Sequence, residues 1–93
     1  MIRRIIRTTS FLRSAKRFLK KHPQAVPQLA ALVEAMATDL YAPQLKTHKL
    51  HGPLAGLWAC SGGYDLRVVF QLTSANGDEE IVLHALGTHD QVY

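Results

Sequence analysis

GYDLRVVFQLTSANGDEEIVLHAL, residues 63–86, is the stretch that decides the fold. From Tyr64 to Leu72 apolar and polar side chains alternate, and successive side chains of a strand point to opposite faces. Leu66, Val68, Phe70 and Leu72 therefore share one face, while Asp65, Arg67, Val69 and Gln71 share the other. Asn76-Gly77 favours a two-residue hairpin turn, because both positions tolerate a positive φ. Glu80 to Leu86 reads as the returning strand, with His84 on the same face as Val82 and Leu86. Two antiparallel strands with one apolar face are not stable alone, so that face needs a cover.

The cover lies upstream. Ile2, Ile5 and Ile6, set among arginines, suggest a short first strand, after which Thr8, Thr9 and Ser10 offer hydroxyl groups that can cap a helix. Phe11, Leu12, Ala15, Phe18 and Leu19 then recur at helical spacing, with Arg13, Lys16, Arg17 and Lys20 between them. Pro23 ends this helix, since it has no N–H and clashes with a continuing turn. A second helix is expected from Val26 to Leu40, its apolar side made of Leu29, Leu32, Val33, Met36 and Leu40. Pro43 closes the helical half, and Gln44 to Gly56 reads as a loop leading into a strand at 57–61. Gly62-Gly63 makes the next turn, and Gly87 to Tyr93 reads as a polar tail. The expected fold is α+β in the order β-α-α-β-β-β, a two-helix hairpin on one face of a small, mostly antiparallel sheet. With both helices on one side, the other sheet face is expected to be open.

A chain of 93 residues builds one hydrophobic core, so residues 1–93 are read as a single domain. Apolar residues make up 47% and charged residues 19%, which excludes a disordered chain. Cys60 is the sole cysteine, so a disulfide scaffold is excluded and a reduced, cytoplasmic setting is the expectation. No apolar run approaches the roughly 20 residues needed to span a bilayer, and the first ten residues lack the apolar core of a signal peptide. No membrane association is expected. The net charge is +4, and eight of the eleven basic residues fall within the first 21 positions, ahead of the first acid, Glu34. Such one-sided charge attracts polyanions, nucleic acid above all; the plainer reading is a pair of solvated faces balanced elsewhere in the fold.

Three polar clusters carry the candidate chemistry: Lys46-Thr47-His48-Lys49-Leu50-His51, then Tyr64-Asp65-Leu66-Arg67, then Gly87-Thr88-His89-Asp90 followed by Tyr93. Each falls at a strand end or in a flanking loop, and in an antiparallel sheet such ends can converge. RNA can be cleaved without a metal when a base takes the ribose 2′-OH proton, a cation holds the phosphate and an acid protonates the leaving 5′-oxygen. Histidine suits both proton transfers, and arginine's planar fork suits the phosphate. His48, Asp65, Arg67 and His89 supply that inventory, with either His48 or Asp65 as the base. Lys46, Lys49, His51, Ser61 and Tyr93 are the expected RNA contacts around them. Each also has a structural reading: Asp65 capping the turn, Arg67 pairing with a carboxylate, Tyr93 packed on the sheet. His22 reads as a helix-end residue and His84 as packing. No metal or other cofactor is expected, since His48-x-x-His51 lacks a third ligand at a recognisable spacing.

Four segments together resemble a known family. His48-Lys49-Leu50-His51-Gly52, Gly56-Leu57-Trp58-Ala59-Cys60, Gly63-Tyr64-Asp65-Leu66-Arg67-Val68-Val69-Phe70 and Gly87-Thr88-His89-Asp90-Gln91-Val92-Tyr93 look like the C-terminal half of RelE/ParE-superfamily toxins, in particular the YafQ-like and RelE/StbE branches. Residues 44–93 resemble it by motif, and residues 1–43 by element order and basic character. The resemblance implies a RelE-like, microbial RNase-like fold and cleavage of mRNA in the ribosomal A site. It also implies neutralisation by a cognate antitoxin within a hetero-oligomeric complex. By the same resemblance His48, Asp65 and His89 occupy active-site positions of the histidine-based branch, and Ser61 stands where that branch has a further histidine. Arg67 and Tyr93 match an arginine and a near-terminal tyrosine of the RelE branch. The superfamily also contains gyrase poisons, which need no acid–base set, and a non-toxic binding module of this fold is a third reading.

Overall fold

The structure, a computed structural model, describes residues 3–63 and 65–88. Its centre is the hairpin of β4 (Leu66–Ala75) and β5 (Asp78–Gly87), joined by Asn76 and Gly77 at φ values of 54° and 84°. Ala75 pairs directly with Asp78, so both strands run flush to the turn rather than stopping at Leu72 and starting at Glu80. Of the extra residues all but Ala75 are polar, and Ser74, Asp78 and Glu79 are exposed. Backbone pairing driven by the tight turn extends the strands there, and the alternating apolar pattern does not reach that far. Gly87, expected in the tail, is the last residue of β5 and pairs with Arg67.

The pairing shifts once. Val69 lies opposite Ala85 and Phe70 opposite Leu83, so His84 is an extra residue that forms a bulge on β5. A bulge reverses the parity of everything beyond it. Ile81, Leu83 and Leu86 therefore all face the core, and Leu86 does not share a face with His84 as simple alternation suggested. His84 Nε2 lies 3.3 Å from Gln71 Oε1.

β3 (Trp58–Gly62) pairs antiparallel with β4, and β1 (Arg4–Arg7) pairs parallel with β5. The sequence reading missed β2, His48 and Lys49, which adds a fifth strand at the free edge of β3. Two residues are too few to show a period, and only the available edge makes them a strand. The resulting order is β1-β5-β4-β3-β2.

α1 (Thr9–Lys21) begins where Thr8 Oγ1 accepts from the N–H of Phe11 at 3.1 Å and donates to the carbonyl of Leu83 at 2.6 Å. One hydroxyl thus caps the helix and ties it to the sheet. Phe11, Ala15 and Phe18 are buried at spacings of four and three, while Leu12 is half exposed. β1 stops at the level of Leu83, leaving the edge of β5 uncovered beyond it; there the hydroxyl of Ser14 accepts from the N–H of Leu86 at 2.9 Å. α2 (Val26–Thr38) ends two residues before the expected Leu40, which is fully buried in the following turn. α1 and α2 together with one sheet face enclose the core, centred on Phe70, Met36, Leu40, Leu66, Ile81 and Leu83. Cys60 lies in it, and burial pushes its thiol up to about 12, so it stays protonated and unreactive at neutral pH.

The sheet face away from the helices is less open than expected. Ala59 and Val69 are buried there, within a row His48–Ala59–Val69–Ala85 that crosses four strands. Among the described residues no helix is long and apolar enough to cross a membrane.

At Gly62, α2 comes so close that an added Cβ would lie 2.8 Å from Leu32 Cδ2. Gly62→Ala should therefore cost about 1–3 kcal/mol of stability. A urea melt would show this as a lower midpoint with an unchanged slope, and an unaltered midpoint would mean that α2 can shift aside freely.

Candidate active site

One end of the sheet gathers four of the polar residues singled out from the sequence: Lys46, Ser61, Asp65 and Arg67. Ser61, at the end of β3, lies directly opposite Arg67 at the start of β4, and Arg67 in turn lies opposite Gly87. Asp65 precedes β4 at a φ of 57°, so the chain enters the strand through a left-handed residue. From the other side comes the single-turn 3₁₀ segment Pro43–Leu45, followed by Lys46 at φ 52° and ψ 38°. Gln44, Lys46, Ser61, Gly63, Asp65 and Arg67 line one cavity of about 430 Å³.

Left-handed backbone costs a residue with a side chain roughly 1–2 kcal/mol. Of the three described non-glycine residues with positive φ, Asn76 serves the hairpin turn, and Lys46 and Asp65 both line this cavity. Strain of this kind concentrates where side chains must be aimed. The arrangement puts an ammonium, a guanidinium, a carboxylate and a hydroxyl around one concave space.

The other predicted residues fall in different places. His48 is exposed and pairs with Ala59, which puts it on the same sheet face as Ser61, one pleat repeat or roughly 7 Å along the strand. It is not among the residues that line the cavity. Its Nδ1 lies 2.7 Å from the carbonyl oxygen of Lys46. Lys49, the next residue, is on the opposite face, with Nζ 5.4 Å from the centre of the Trp58 ring. His51 is exposed ahead of the short 3₁₀ turn Gly52–Leu54 and does not line the cavity. His89 and Tyr93 lie outside the described residues. Ser61 is buried, so a larger side chain there would have to be accommodated within the sheet. Arg67 Nη1 donates to the carbonyl of Leu66 at 3.4 Å, and the carboxylate pairing considered for Arg67 does not occur among the described residues. Gln44 and Gly63 were not anticipated; Gln44 carries no motif and reaches the cavity only because the turn after Pro43 folds back on β3.

Volume does not single out this cavity. A cleft of about 460 Å³ between α1 and the end of β5 is lined partly by Arg17, Lys21 and His22, and an apolar groove of about 470 Å³ runs beside Ile5, Leu19, Val26, Leu29 and Val33. The groove is also lined by Arg7 and Glu34, so a cation and a carboxylate in one lining do not single out the Asp65–Arg67 cavity either; in the α1 cleft the His22 ring rests on Phe18, with centroids 4.7 Å apart. Among the described residues no three His, Cys, Asp or Glu side chains converge on a possible metal position.

The basic charge divides into two parts. Arg3 pairs with Glu79, and Arg4 lies 3.5 Å from Glu80, so these two cations are balanced by β5 acids, whereas Arg7 forms no ion pair among the described residues. Arg13, Lys16, Arg17, Lys20 and Lys21 are all exposed on α1, and none forms an ion pair among the described residues.

The structure superposes on YafQ from E. coli strain BL21(DE3) with a TM-score of 0.78 at 18% identity, covering 98% of each chain. The chain has the fold of the RelE/ParE-type toxins. It also matches the E. coli DinJ–YafQ toxin–antitoxin complex with a TM-score of 0.76 at 18% identity, over 100% of this chain and 99% of that one. A YoeB/ParE toxin from Agrobacterium tumefaciens matches with a TM-score of 0.71 at 16% identity, over 92% and 98% of the two chains. No family model matches the sequence, and no curated protein matches it. The likeness to these toxins is one of fold.

Within this fold the left-handed Lys46 is open to a direct test. Lys46→Val should cost about 1–2 kcal/mol, because a β-branched side chain is poorly tolerated at φ 52°, whereas Lys46→Gly should cost nothing. Thermal unfolding of the two variants would separate them, and equal losses would show that the strain is not felt.

Proposed function

We propose that this chain is the toxin of a toxin–antitoxin pair and that it cuts messenger RNA on the ribosome. The observation that carries the reading is the convergence of Lys46, Asp65 and Arg67 on one cavity, with His48 on the same sheet face as Ser61 of its lining. Arg67 and Lys46 would hold the scissile phosphate, Arg67 through two parallel hydrogen bonds and Lys46 as a point charge. His48 or Asp65 would take the 2′-OH proton, and His89, beyond the described residues, would protonate the departing 5′-oxygen. These groups suffice for a reaction without a metal, whose products carry a 2′,3′-cyclic or 3′-phosphate.

The partner follows from the same surfaces. YafQ is found in complex with the antitoxin DinJ; a corresponding partner here would be an acidic, partly disordered segment laid across basic and apolar surface. The five exposed cations of α1 would speed that encounter and, in the free toxin, contact with the ribosome. The rival reading is a gyrase poison of the same fold, which has no use for the acid–base set in the cavity. A binding module without toxicity is the third reading.

Induction of the chain without its partner should arrest growth and produce cuts within translated reading frames, seen by primer extension. Arg67→Ala should abolish them, as should His89→Ala. DNA-damage signalling without cuts would favour the gyrase reading, and undisturbed growth with folded protein would favour the binding module. Charge reversal at Arg13, Arg17 and Lys20 together should weaken both antitoxin binding and ribosome association; if neither changes, α1 is only a solvated face.

A further inference from the structure

We infer that the backbone carbonyl of Lys46 selects the Nδ1–H tautomer of His48 and thereby makes Nε2 of His48 the proton acceptor of the site. The inference rests on the nuclease reading and decides within it between His48 and Asp65 as the base. A carbonyl oxygen can only accept a hydrogen bond, so at 2.7 Å the neutral ring must carry its proton on Nδ1. Nε2 is then left with its lone pair, and a lone pair is what a base presents.

The carbonyl is held in place from both sides. The N–H of Lys46 donates to the carbonyl of Pro43 at 3.2 Å, closing the 3₁₀ turn, and the left-handed backbone at Lys46 turns its own carbonyl towards the His48 ring. Thr47 Oγ1 donates to the carbonyl of Leu40 at 2.6 Å, which fixes the next residue. His48 itself is locked opposite Ala59 by the pairing of β2 with β3. Glycine would take the backbone of Lys46 without strain; a lysine there puts an ammonium into the cavity lining, while the hydrogen bonds of the turn hold the carbonyl. Lys46 is thus a positioning residue through its carbonyl and a phosphate contact through its side chain.

In the reaction, the 2′-OH proton passes to the Nε2 lone pair as the O2′–P bond forms. The P–O5′ bond breaks with its electron pair on O5′, which takes a proton from the separate acid. The ring ends as imidazolium, still donating from Nδ1 to Lys46, so the same hydrogen bond strengthens as charge develops.

Two substitutions separate the two functions of Lys46. Lys46→Asn removes the charge but keeps a residue that accepts left-handed backbone, whereas Lys46→Val removes the charge and disfavours that backbone. Long-range 1H–15N correlation spectra of histidine-labelled protein, recorded where the rings are neutral, report the tautomer, and His48→Gln assigns the signal. The unaltered protein and Lys46→Asn should show Nδ1–H at His48, and Lys46→Val should lose it. A single hydrogen bond of ordinary strength shifts the tautomer ratio by roughly two- to tenfold, so Lys46→Val should cut mRNA slower than Lys46→Asn by a factor in that range. An Nε2–H ring in the unaltered protein overturns the inference. Equal cutting by the two variants despite different tautomers would also overturn it, since His48 would then not be the acceptor. If the unaltered protein cuts nothing while its ring is Nδ1–H, the nuclease reading fails and the base assignment falls with it, although the tautomer would stand.

Discussion

The pairing of β4 with β5 is the constraint on which the rest of the molecule depends. It is the longest ladder in the sheet, and each other part takes its position from it: β1 and the Thr8 cap of α1 from β5, β3 and through it β2 from β4. Its one irregularity, the extra residue at His84, turns Leu86 into the core and leaves the short Ala85 and Gly87 on the other face beside Val69 and Arg67. Bulges commonly re-aim side chains near functional sites, and this one sets what flanks Arg67.

The candidate site is built at the end of this ladder from rigid pieces. Arg67 and Ser61 are strand residues facing each other, so their relative position follows from backbone hydrogen bonds. Lys46 and Asp65 reach the same space through left-handed backbone that the turn after Pro43 and the entry into β4 impose. His48 depends on β2, the smallest element of the fold, and its ring orientation depends on a carbonyl two residues earlier. Pre-organisation of this kind lowers the ordering cost when a phosphate is bound.

Charge is divided along the chain in a way that suits two different tasks. Glu79 and Glu80 pair with Arg3 and Arg4 at the far end of the hairpin, while α1 keeps five exposed cations without described partners. Pairs such as Arg4–Glu80 contribute little to stability, being exposed at one partner. Their larger effect is on the distribution of charge: acids offset cations near the hairpin tip, while the α1 cations stay exposed.

The sequence by itself determined the architecture. Alternation in β4, the Asn76-Gly77 turn, helical spacing around Phe11, Ala15 and Phe18, and the stop at Pro23 are local signals, and the structure follows them because local preference and burial agree there. The sequence also marked Lys46, Asp65 and Arg67 through their polar clusters, and Ser61 through the family resemblance. Tertiary structure alone decided the rest. The His84 bulge arises because two strands must pair and pack at once, and no residue type announces it. β2 exists because β3 offers a free edge, and two residues carry no period of their own. The separation of Lys49 from His48 follows from that strand: neighbours on a strand point to opposite faces, so one shares the face of Ser61 and the other stands over Trp58. Which ring nitrogen of His48 carries the proton depends on a carbonyl direction, and a direction in space is fixed only when the chain has folded around it.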